Sequence, residues 1–132
     1  MENPKEERTE KIRAFIDKWF EHFDRLDENS FFTQYLSEDV KMKLPGNDLF
    51  TGHEGFNNWF TASKNVLIAN TSHDVSDIKI TETSDNQFDV AFKVRYTAEM
   101  KDNKIDMDAR EDWKLSWNDA QDQPVISEYI VS

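Results

Sequence analysis

His73, Glu111 and Tyr96 are the residues of this chain best suited to move or hold a proton. A neutral imidazole in a pocket serves as a base near neutral pH, as dehydration or proton abstraction beside a carbonyl requires. His73 begins a strand-like stretch from about Ser72 to Thr83. The competing reading is a histidine at a strand edge, in water. Glu111 stands in an otherwise apolar alternating row: Ile105, Met107, Ala109, Glu111, Trp113, Leu115 and Trp117. A carboxylate there is costly unless paired, hydrogen-bonded or protonated, and burial raises its pKa into the range of a general acid or base. The alternative puts Glu111 at the open rim of a sheet. Glu128, between Ile126 and Ile130, poses the same question on a strand apolar on both faces. Tyr96 and Tyr35 carry hydroxyls that could polarise a carbonyl oxygen.

These residues need elements to hold them. Phe88, Val90, Phe92, Val94, Tyr96, Ala98 and Met100 alternate along one arm, and the Glu111 row forms the second, so period two predicts a long antiparallel hairpin. With Asp102-Asn103 as a two-residue turn, Val94 would face Glu111, Lys93 would face Asp112 and Arg95 would face Arg110. His73 and Val75 would point away from Ile78 and Ile80 unless a bulge near Ser76-Asp77 restores the phase. Upstream, Asn3 as cap, Pro4 and Glu6 open a first helix running to about Asp27. Its stripe of Ile12, Phe15, Ile16, Trp19, Phe20, Phe23 and Leu26 must lie on something apolar. Asn29 or Ser30 caps a short second helix carrying Phe31, Phe32, Tyr35 and Leu36. A strand over Asp39 to Leu44 ends at Pro45-Gly46-Asn47-Asp48. A third helix runs from Thr51-Gly52 to about Ala69, with Phe56, Trp59, Phe60, Val66 and Leu67 inward and Asn70 as its stop. A last strand covers Val125 to Val131. The order α-α-β-α-β-β-β-β means α+β, with helices packed on one face of an antiparallel sheet. Phe15, Trp19, Phe23, Tyr35, Trp59, Phe92 and Trp113, with Glu128, are the expected pocket walls.

The 132 residues suit one domain over 1–132. Only 37% are apolar, yet ten Phe and four Trp fill a core economically. A net charge of -11 argues against nucleic acid or an anionic membrane as partner. Without cysteine there is no disulfide, thiolate metal site or thiol nucleophile, and three scattered histidines offer no metal spacing. No cofactor is implied. The first residues lack the apolar core of a signal peptide, and no stretch reaches membrane-spanning length, so the expectation is a cytoplasmic protein.

The element order, the run Leu49-Phe50-Thr51-Gly52-His53-Glu54-Gly55-Phe56 and the strand beginning Thr71-Ser72-His73-Asp74-Val75 resemble the nuclear transport factor 2-like superfamily. Within it the chain is most similar to the SnoaL-like polyketide cyclase and dehydratase branch, over nearly its whole length. The resemblance implies a cystatin-like cone: a strongly curved sheet wrapped around the long helix, with a conical pocket for a mostly apolar small molecule. It implies a homodimer through the outer sheet face, where Lys93, Arg95, Arg110 and Asp112 fall. It also places His73 where related dehydratases keep a strand histidine. The superfamily includes ketosteroid isomerase, scytalone dehydratase, limonene epoxide hydrolase and non-catalytic accessory domains, so the fold does not choose the reaction. The isomerase pattern wants a tyrosine on the first helix, which is absent. The fungal dehydratase pattern wants two pocket histidines; this sheet offers one. The epoxide hydrolase Asp-Arg-Asp set would fall on the outer face. Two readings stand: a lyase or isomerase with His73 as base, and a non-catalytic binding domain.

Overall fold

The computed structural model describes residues 4–44 and 48–132. The expected cap at Asn3 and the turn at Pro45-Gly46-Asn47 lie outside the described residues. α1 spans Pro4–Asp24 and α2 spans Asn29–Thr33. β1 (Leu36–Lys43) and the two-residue β2 (Phe50–Thr51) precede α3 (Gly52–Val66). The strands β3 (Leu67–Ser84), β4 (Gln87–Met100), β5 (Asn103–Asn118) and β6 (Gln123–Val131) follow. They form one curved, open sheet in the order β2-β1-β6-β5-β4-β3, with the helices packed against it. The architecture is α+β, as the alternation of periods implied.

The sheet is not wholly antiparallel, because β1 runs parallel to β6. The chain returns from the far edge of the sheet to put its last strand between β1 and β5, and no local pattern reveals that. α1 presses Ile12, Phe15, Ile16, Trp19, Phe20 and Phe23 onto the concave face, all buried. Each such side chain contributes about 1.5–3 kcal/mol by leaving water. Trp113 is the hub of this core, within 6.5 Å of the rings of Phe15, Trp19, Phe20, Phe92 and Tyr129.

α1 ends earlier than its apolar stripe suggested. Leu26 adopts a left-handed φ of 52°, its N–H bonds Phe23 O at 2.9 Å and the Asp27 N–H bonds His22 O at 3.1 Å. This pair of bonds closes a helix C-terminus, usually around a glycine. A leucine there costs about 1–2 kcal/mol, and its partial burial against the core offsets some of that. α2 begins at Asn29 with Glu28 in the cap position and no side-chain cap bond, so neither Asn29 nor Ser30 serves as cap. Tyr35 and Leu36 lie beyond α2, Leu36 opening β1. α3 stops at Val66; Asn70 is inside β3, not a helix stop, and Val66 is 45% exposed rather than inward. Gly52 starts α3 with φ 82°, while a Cβ at Gly55 would meet the Phe50 ring at 2.6 Å. The glycines of this run therefore allow the turn out of β2 and the packing of β2 on the helix.

The hairpin turns at Lys101-Asp102, one residue earlier than expected. Glu111 accordingly faces Phe92, Arg110 faces Lys93 and Arg95 faces Asp108. A two-residue change of partner leaves every side chain on its expected face. It also replaces the like-charge contact of Arg95 with Arg110 by ion pairs of Arg95 to Asp106 at 2.8 Å and Asp108 at 3.6 Å. In β3 the bulge is present: Ser76 pairs with Lys93 and Lys79 with Ala91, with Asp77 at φ 54°. Val75, Ile78 and Ile80 thereby all pack on the core. No helix of the described residues is long and apolar enough to cross a membrane.

Candidate functional site

At the open end of the concave face lies a cavity of about 60 Å³. Phe23, Leu44, Trp59, Val94, Met107, Ala109 and Val131 supply apolar walls, and His73, Tyr96 and Glu111 the polar groups. The three proton-handling residues singled out above, carried by β3, β4 and β5, thus line one space. Of the aromatic residues named as pocket walls, Phe23 and Trp59 line it. Phe15, Trp19, Tyr35, Phe92 and Trp113 do not; they are buried in the core away from the cavity. Glu128 is on the outer face of β6, opposite Lys41 and Lys114. A bulge between β5 and β6 makes Leu115 face Ile126 next after Lys114 faces Glu128, so Ile126, Tyr129 and Val131 turn inward and Glu128 outward.

His73 is held on every side. Its Nδ1 lies 2.6 Å from Asp24 Oδ1, and its backbone N–H donates to Asp24 Oδ2 at 3.2 Å. An ionised carboxylate only accepts hydrogen bonds, so the neutral ring carries its proton on Nδ1 and its lone pair on Nε2. Phe20 stacks on one side of the ring at 4.6 Å and Tyr96 lies at 4.5 Å, with Phe23 edge-on at 5.0 Å. The His73 side chain is 8% exposed and that of Asp24 26%. Nε2 is therefore the nitrogen left to meet a molecule in the cavity.

Asp24 is the residue that sequence reasoning missed. It follows Ile12, Ile16 and Phe20 at four-residue spacing, so a carboxylate on the core-facing row was the available signal. The early stop of α1 makes it the last helical residue, and the bulged β3 brings His73 to it. The other two histidines, His22 and His53, are partly buried. His22 Nδ1 lies 2.8 Å from Asp27 Oδ2, its ring stacking on Phe31 at 3.7 Å, and His53 Nε2 lies 2.7 Å from Leu36 O. Both hold local structure away from the cavity.

Glu111 is 3% exposed. Burial pushes its carboxyl from an ordinary 4.5 up to about 7, while hydrogen bonds from Tyr129 and Trp113 draw it the other way. The Trp113 Nε1–H donates to Oε1 at 3.1 Å. Burial, and then the charge of Asp24, push the Tyr96 hydroxyl up to about 12, so Tyr96 remains a hydrogen-bond donor at neutral pH. Burial foremost, with the negative charge of Glu111, raises Tyr129 as well. The site joins an oriented imidazole, a carboxyl poised between its two protonation states and a neutral phenol around a mostly apolar space. Among the described residues no group of His, Asp and Glu is arranged to hold a metal ion.

No family model matches the chain, and no curated protein matches it. Solved structures do. An aromatic ring hydroxylase candidate from Novosphingobium aromaticivorans superposes with a TM-score of 0.85 at 16% identity, over 99% of this chain and 91% of that one. A dehydratase candidate of the nuclear transport factor 2-like family from Streptomyces avermitilis gives 0.83 at 9% identity, over 97% and 96%. A scytalone dehydratase candidate from Novosphingobium aromaticivorans gives 0.82 at 16% identity, over 94% and 82%. At these identities the likeness is one of fold.

Proposed function

Starting from a chain that has the nuclear transport factor 2-like fold, we propose that it is a cofactor-independent acid–base catalyst of the lyase or isomerase type, acting on a small, mostly apolar molecule. One observation carries the reading: His73, buried at the cavity wall, is oriented through Nδ1 by Asp24 at 2.6 Å and faces the same space as Glu111 and Tyr96. A carboxylate behind an imidazole fixes its tautomer and stabilises the imidazolium that forms when Nε2 takes a proton. Tyr96, kept protonated by burial, would donate to the carbonyl oxygen on which charge develops. The apolar wall would exclude water and favour a short carbon skeleton. Fold neighbours named as dehydratase and ketosteroid isomerase-like proteins agree with this class of chemistry.

The test is proton abstraction itself. Butanone incubated with the protein in heavy water should take up deuterium beside its carbonyl faster than in buffer, followed by proton NMR. His73→Gln should lower that exchange by about 10²–10⁴-fold. Equal exchange in wild type and His73→Gln would remove the base. The small, mostly apolar cavity favours one second reading, a non-catalytic binding domain. Saturable binding of butanone without any exchange would select it.

A further inference from the structure

Glu111 is a second buried ionisable group on the same cavity, and base chemistry at His73 does not use it. It enters from β5, whereas His73 enters from β3, so a molecule in the cavity meets the two from different strands. Its partners are Trp113, a pure donor, and Tyr129, whose phenol burial keeps protonated. Such a setting suits a carboxyl that cycles: burial favours the acid, and two preformed donors receive the anion once the proton has left. A group with only a structural task would gain nothing from facing the cavity, since Trp113 and Tyr129 already belong to the core.

We infer that Glu111 is the general acid of the site, delivering its proton to a hydroxyl leaving group, so that the substrate is a short-chain β-hydroxy carbonyl compound and the reaction a dehydration. The inference rests on the reading of His73 as base. His73 Nε2 takes the proton from the carbon beside the carbonyl, and that C–H pair becomes the new C=C bond. The C–O bond to the β-hydroxyl breaks with its pair going to oxygen, which takes the Glu111 proton and leaves as water. The products are an α,β-unsaturated carbonyl compound, water, an imidazolium and a carboxylate; exchange with solvent returns a proton to Glu111 and removes one from His73. Size narrows the substrate further. At roughly 10–15 Å³ per water-sized group, about 60 Å³ seats about four to six groups, the length of a four-carbon hydroxy ketone.

A change of leaving group separates the acid from the base. Chloride departs without a proton, so a four-carbon β-chloro ketone needs His73 but not Glu111. Elimination from the β-hydroxy and β-chloro ketones is followed by the absorbance of the enone, each rate taken above the uncatalysed one. Glu111→Gln, which keeps an oxygen for Trp113, should lower the ratio of hydroxyl to chloride elimination about 100-fold. His73→Gln should lower both rates and preserve the ratio. Wild type provides the same distinction without mutation: the hydroxyl substrate should lose rate above pH about 7, the chloro substrate should not. The titratable groups facing Glu111 are Tyr129 of β6 and, across the cavity, Tyr96 of β4 and His73 of β3 backed by Asp24 of α1. All of these are common to both substrates, so only the difference between the two profiles is assigned to Glu111. An unchanged ratio in Glu111→Gln, or matching wild-type profiles, overturns the general acid and leaves the base standing. Rates unaffected by His73→Gln overturn the base. Wild type that dehydrates no β-hydroxy ketone overturns the substrate class.

Discussion

Glu111→Gln should change the pH dependence of stability in a manner set by the cavity wall. The carboxyl is near 7 in the folded protein and near its ordinary 4.5 when the chain unfolds. Between these values the native state holds the proton and the unfolded state does not, so stability falls as pH rises through that window. At about 1.4 kcal/mol per pH unit, the span from 4.5 to about 7 carries about 3 kcal/mol of stability, fully present below pH 4.5 and fully lost above pH 7. Glutamine has the same shape and keeps an acceptor for the Trp113 N–H, but it never ionises. Urea unfolding of both proteins at intervals from pH 5 to 8.5 gives the difference directly, and contributions from all other groups cancel. The glutamine variant should gain about 3 kcal/mol relative to wild type across this range. Repeating the pair on a His73→Gln background removes any influence of the imidazole across the cavity. A difference that stays flat within about 0.5 kcal/mol would show that Glu111 is solvated when folded, and the general acid would fail with it.

Two further outcomes follow from the same geometry. Asp24→Asn leaves one acceptor oxygen for two donors, the His73 backbone N–H and Nδ1–H, and puts an NH2 in place of the other, so nitrogen NMR of the imidazole should show the neutral ring losing its preference for the Nδ1–H tautomer; an unchanged spectrum would mean that Asp24 does not orient it. Gly52→Ala forces a Cβ onto a backbone at φ 82° and should cost about 1–2 kcal/mol in urea unfolding, a neutral result being evidence against that turn.

Periodicity, which is a local property, made most of the fold legible. The rows of Phe88 to Val94 and of Glu111 to Trp117 are buried on the face the alternation indicated, while members nearer the hairpin turn, among them Tyr96 and Met107, are half-buried on that same face, and the stripe of α1 packs where it had to. A register error of one turn residue left those faces intact, because side chains alternate with period two. Glu111 could be read as anomalous from sequence, since one carboxylate interrupts an apolar row. Its protonation could not be read, because that depends on how completely Trp113, Tyr129 and the opposite wall exclude water. The pairing of Asp24 with His73 was beyond local pattern altogether. It requires a leucine in a left-handed helix end, a bulge in β3 and the docking of α1 across the sheet, and it joins residues 49 positions apart. Which aromatic rings became cavity wall and which became core was likewise settled only in three dimensions. Phe15, Trp19 and Trp113 have the same chemistry as Phe23 and Trp59; their place relative to the cavity separates them, and that place is a property of the packed whole.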